Sequence, residues 1–141
     1  VDQGVFENIS EMRNLRLPNE TGGILFGLVD IPGQSIHVVH ADSAPPDSQE
    51  TADGFVRGTT GVQERIDEVF EGTRGQVRYV GEWHSHPPRV PPDPSRTDIV
   101  QIDWLAALFD MDTLPALMLI AGDDRYSIIL ADQVAGQSNH G

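Results

Sequence analysis

Apolar residues Val5, Ile9 and Met12 recur at i, i+4, i+7, the spacing of one helical face, and predict a short amphipathic helix that stops before Pro18. After "NETGG", the runs "ILFGLVDI" and "SIHVVHA" read as two strands joined by a turn at Pro32 and Gly33, a hairpin. The stretch from Ala44 to Gly58 is polar and rich in turn formers, which predicts a surface loop or flap of the kind that covers substrates. From Thr59 or Thr60 as N-cap, Val62, Ile66, Val69 and Phe70 make a second amphipathic helix closed by Gly72. A third strand, "QVRYVGEWH", leads into five prolines between Pro87 and Pro94. A helix then opens at Ser95 with Ile99, Ile102, Leu105 and Ala106 on one face. "ALMLIAG" and "YSIILAD" read as two last strands around a Gly-Asp-Asp turn, followed by a frayed tail. The order α-β-β-α-β-α-β-β predicts an α/β domain, a mixed β-sheet flanked by helices, spanning 1–141 without repeat or linker.

Composition narrows what such a domain does. A chain of 141 residues is long enough for one real core, so one site on one scaffold is expected. With 22 acidic residues against 9 basic ones, the net charge of -13 repels phosphate backbones and anionic lipid, which argues against nucleic-acid and membrane partners. No apolar run approaches the ~18–20 residues that span a bilayer, and "VDQGVFENIS" lacks a signal-peptide pattern, so a cytoplasmic protein is expected. Cysteine is absent, leaving only imidazole and carboxylate to hold a metal. The first residue is Val, which suggests a piece of a longer polypeptide. All nine basic residues are Arg. That pattern fits a GC-rich genome, or an enzyme that avoids modification while working beside lysine-directed conjugation.

The chemistry concentrates in "GEWHSHPPRVPPDPSRTD". Residues two apart in a strand face the same way, so His84 and His86 present both imidazoles from one surface while Trp83 and Ser85 point to the other. Asp98 falls on the first turn of the next helix, and the proline-rich loop has little freedom to lose in bringing helix and strand together. Two imidazoles and a carboxylate leave a fourth position for water, the arrangement of a catalytic rather than a structural zinc. The alternative is a pair of surface histidines at a sheet edge. His37 and His40 are expected on opposite faces of the second strand as surface or packing residues, His140 in the tail, and Trp83 and Trp104 in the core. The acidic residues Asp110, Asp112, Asp123 and Asp124 read as solvated surface, or as a steering patch for a basic partner.

His84-Ser85-His86-Pro87, then Ser95-x-x-Asp98, with Glu20 upstream in "NETGGILFG", resembles the signature of the JAMM (MPN+, JAB-domain) zinc metalloproteases, in family order and over most of the chain from Glu20 to about Leu130. The resemblance implies a cytidine-deaminase-like mixed sheet and one Zn2+ held by His84, His86 and Asp98. It also implies Glu20 as general base and Ser95 as a donor to the oxyanion. Eleven residues separate His86 from Asp98, one more than is usual in that family. The extra residue falls in the proline-rich loop, and Asp93 is the fallback ligand. Ser95 can also serve as an N-cap. Glu82, on the same strand face as the histidines, is a rival base or an orienting partner for an imidazole. If Glu20 is only a turn residue, Gly22 and Gly23 serve only the turn.

The resemblance implies an isopeptidase or peptidase that removes or processes a ubiquitin-like modifier at its C-terminal tail. Bacterial members are fused or linked to ubiquitin-activating-like and conjugating-like proteins. Alternatives are a zinc peptidase for a small cysteine-containing substrate or sulfur-carrier precursor, and a non-catalytic MPN scaffold. Scaffold members lack the ligands that this chain keeps. A zinc deaminase would need cysteine ligands, and there are none.

Overall fold

The computed structural model describes residues 1–94 and 116–131. Helix α1 spans Gln3–Asn14 and ends, as its apolar stripe predicts, before Pro18. Strands β1 (Gly22–Asp30) and β2 (Ser35–Ala41) form the expected antiparallel hairpin. Strand β5 (Arg78–Ser85) pairs antiparallel with β1 and parallel with β6 (Ala116–Ala121), and β6 pairs antiparallel with β7 (Tyr126–Ala131). The five-stranded sheet has the order β2-β1-β5-β6-β7, the mixed sheet of an α/β fold. Among the described residues one pair is parallel, β5 with β6, and a parallel pair requires a crossover. That crossover includes residues 95–115, so the predicted third helix, with Ser95, Asp98, Trp104, Asp110 and Asp112, lies outside the described residues, as do His140 and the tail.

Side chains alternate across the sheet and give it two apolar faces. On one, Val5 and Ile9 of α1 pack against Leu25, Val38, Val80, Trp83, Leu117 and Leu119. Trp83 is only 1% exposed, the core role expected of it; truncating such a side chain costs about 3–5 kcal/mol. On the other, Ile24, Phe26, Met118 and Ile120 are also buried. There helix α2 (Val62–Gly72) sets the Arg65 guanidinium 5.5 Å over the Phe26 ring. With both faces apolar, the middle strands read as near-continuous hydrophobic runs rather than as a strict alternation.

Two expectations need correction. The stretch from Ala44 to Gly58 is not only loop: strands β3 (Gln49–Thr51) and β4 (Gly54–Val56) pair as a small hairpin. Strands of three residues are too short to carry a periodic signal, and contacts with the main sheet, polar at Glu50 and apolar at Phe55, hold them. Neither Thr59 nor Thr60 caps α2. The helix follows Gly61, whose φ of 77° suits glycine, while the Thr59 and Thr60 N–H groups donate to the Asp47 carboxylate. Among the described residues, no helix is long and apolar enough to cross a membrane.

Candidate metal centre

Antiparallel register sets Gly22 opposite His84, and the Ser85 N–H donates to the Thr21 carbonyl at 2.8 Å. The ladder stops there: the Glu20 N–H turns to β3 and the His86 N–H to the Ala121 carbonyl of β6. His84 and His86 are both buried, at 6% and 7% exposure, with ring centroids 5.5 Å apart. They are therefore not a solvated sheet-edge pair. Two imidazoles bound to one zinc at about 2.0–2.1 Å would hold their centroids roughly 5 Å apart, so the spacing fits a shared ion. His86 Nδ1 lies 2.7 Å from the Pro91 carbonyl oxygen. A carbonyl only accepts, so Nδ1 donates in this bond, which leaves Nε2 as the nitrogen that would ligate a metal. The donor set suits zinc, which takes imidazole and carboxylate when thiolate is absent.

Among the described residues no three His, Cys, Asp or Glu side chains form a metal-binding group. Asp98, the proposed third ligand, and Ser95 lie outside them. Asp93, the fallback ligand, is exposed and makes no such group with the histidines. Glu20 is half-buried just before β1, where its N–H donates to the Thr51 carbonyl of β3 at 2.8 Å.

Gly22 and Gly23 lie within β1 rather than in a turn, and both are required by close approach. A Cβ on Gly22 would meet the Trp83 carbonyl oxygen at 2.3 Å and the Phe55 ring at 2.6 Å; one on Gly23 would meet the Asp42 carbonyl oxygen at 2.1 Å. The missing side chain at Gly22 thus admits Phe55 of β4 beside His84. Two further contacts seat the hairpin: Thr21 Oγ1 donates to Glu50, and Arg57 Nε, just beyond β4, lies 2.6 Å from Glu82, whose carboxylate also accepts from Tyr79 of its own strand. Burial, reinforced by Glu82, pushes the Tyr79 phenol well above its ordinary range. Glu82, half-buried on β5, is engaged as the hairpin's anchor.

Sequence reasoning missed Arg13. It is 3% exposed on α1, and its Nε and Nη2 donate to the His86 carbonyl at 3.1 and 3.0 Å. Nη2 also reaches Asp123 at 2.9 Å, so Asp123 is not merely solvated surface. A signal was present: Val5, Ile9 and Arg13 are four apart, so the arginine sits on the buried stripe. His37 and His40 are exposed, paired with Asp2 and Asp42, as expected of surface residues.

A family model described as prokaryotic homologs of the JAB domain matches residues 2–132. The chain is similar to proteins named CD-NTase/cGAS isopeptidase. It is 35% identical over 75% of its length to one from Enterobacter hormaechei subsp. hoffmannii, and 34% identical over 75% to one from Vibrio cholerae. A third, from Escherichia coli strain TW11681, is 32% identical over 73% of this chain. The matched segment spans 57% to 64% of those relatives. The solution structure of protein DSY2949 from Desulfitobacterium hafniense shares the fold, with a TM-score of 0.50, 18% identity, and coverage of 91% of this chain and 79% of that one. With a match over nearly its whole length, the chain belongs to the prokaryotic JAB-domain family.

Proposed function

We propose that this chain is the hydrolytic domain of a zinc isopeptidase in which His84, His86 and Asp98 hold one zinc ion. The observation that carries this reading is the pair of buried imidazoles at the end of β5, their centroids 5.5 Å apart, with His86 Nδ1 tied to the Pro91 carbonyl. Family membership supports the rest of the ligand set through the spacing of Ser95 and Asp98.

Zinc, when bound, supplies a Lewis acid that polarises the scissile carbonyl and brings the pKa of water toward ~7. The Glu20 carboxylate takes a proton from the attacking water and passes it to the departing amine. The new C–O bond forms first, and the C–N bond then breaks as the amine takes the proton, leaving a carboxylate and a free amine. The Ser95 hydroxyl donates to the carbonyl oxygen as negative charge develops on it; losing one such donor commonly costs about 10²–10³ in rate. The hairpin brings Phe55 over Gly22, the residue opposite His84.

The names of the relatives support an isopeptide bond as the bond cut. For this chain the substrate is an isopeptide conjugate of a CD-NTase/cGAS protein or of a ubiquitin-like protein, made by activating-like and conjugating-like partners. The test is incubation with such conjugates, with and without a chelator, using the wild type and Glu20→Gln. Cleavage should stop on chelation. Glu20→Gln should keep its zinc and lose about 10²–10⁴ in rate. Cleavage undiminished by chelation would refute the proposal.

A further inference from the structure

Arg13 places a cation in the core between α1 and the sheet, a costly position unless its charge and donors are all used. Its contacts all lead to the segment that carries His86. Two guanidinium nitrogens hold the His86 carbonyl, and one of them also holds Asp123 Oδ1 at 2.9 Å. The other oxygen of Asp123 accepts the Arg89 N–H at 2.8 Å. Arg89 lies in a turn closed by the Val90 N–H on the Pro87 carbonyl at 3.2 Å, and its φ is 68°. Glycine or asparagine is the usual occupant at that turn position, so a bulky residue there must be held by its surroundings. From the turn the chain runs to Pro91, whose carbonyl oxygen meets His86 Nδ1.

These contacts close a ring: His86 carbonyl, Arg13, Asp123, the Arg89 N–H, Pro91 carbonyl, and back to the His86 imidazole. Backbone and ring of one histidine are fixed from opposite ends of the same five-residue turn. We infer that Arg13 and Asp123 are positioning residues that set the orientation of His86 through the Pro87–Pro91 turn. The inference rests on the proposal that His86 is a zinc ligand. Arginine is required because its planar fork grips a carbonyl and a carboxylate at once, whereas a lysine ammonium is a single point. An anchor with no duty beyond packing α1 to the sheet would be apolar, as Val5 and Ile9 are on the same stripe.

The test is the zinc affinity of the full chain, by competition with a chromophoric chelator, for the wild type, Arg13→Gln, Arg13→Lys and Asp123→Asn. Circular dichroism and thermal melting establish folding, and the visible spectrum of the cobalt-substituted protein reports ligand geometry. Arg13→Gln should weaken zinc binding about tenfold to a hundredfold, Arg13→Lys should fail to restore it, and the cobalt bands should shift. Asp123→Asn, a change at a half-exposed side chain, should lose about tenfold and decides the matter if Arg13→Gln does not fold. If the folded variants bind zinc as tightly as the wild type with unaltered cobalt bands, Arg13 and Asp123 are structural only and the inference is overturned, with the metal site intact. If the wild type itself binds no zinc, the metal proposal fails and this inference falls with it.

Discussion

Arg57 Nε and Glu82 Oε1 lie 2.6 Å apart, joining the end of the β3–β4 hairpin to the strand that carries His84 and leads into His86. Both side chains are largely covered, at 21% and 14% exposure, so the pair is stronger than an ordinary surface salt bridge. Its geometry makes Glu82 a structural anchor, in keeping with the base role proposed for Glu20. Glu82→Gln should therefore cost about 2 kcal/mol of stability in urea unfolding, the scale of a hydrogen bond to a charged group, and leave zinc affinity unchanged. Loss of turnover with stability retained would move the general-base role to Glu82.

Asp47 closes the base of the same hairpin by accepting the Thr59 and Thr60 N–H groups, bonds that hold its carboxyl below the usual range. A depressed folded-state pKa contributes stability that is fully present above the unfolded value of about 3.9 and is lost as pH falls through the folded one. The melting-temperature gap between wild type and Asp47→Asn should thus be open near neutrality and shrink on acidification below about pH 4. A gap that stays constant across that window would show that the carboxylate contributes nothing through its charge.

Gly22 and Gly54 make a matched pair. A Cβ at Gly22 would strike backbone at 2.3 Å and the Phe55 ring at 2.6 Å, whereas one at Gly54 meets nothing within 4 Å. Gly22→Ala should cost about 1–3 kcal/mol and weaken zinc binding by displacing His84, while Gly54→Ala should be close to neutral. Equal effects of the two substitutions, by denaturant unfolding and zinc titration, would mean that Phe55 does not pack beside the site.

What the chain discloses unaided depends on whether its information is periodic. The stripe of Val5 and Ile9, the apolar strands and the His84–His86 alternation all report burial at a regular spacing, and all recur in the structure. The hairpin from Gln49 to Val56 was illegible because polar contacts to Thr21 and Glu82, distant in sequence, hold it. Arg13 was legible only as an inconsistency, a charge on an apolar stripe, and its partner Asp123 is brought to it by the sheet. The candidacies of Glu20 and Ser95 came from the family motif, since no local pattern distinguishes a catalytic carboxylate or hydroxyl from a solvated one.

The account turns on whether His84 and His86 bind one metal ion together. Equilibrium zinc titration of the metal-free protein, beside His84→Ala and His86→Ala, measures this most directly. We predict one zinc per chain for the wild type and loss of that site in each variant. A wild type that takes up no zinc, or a His86→Ala protein that binds it undiminished, would contradict the account.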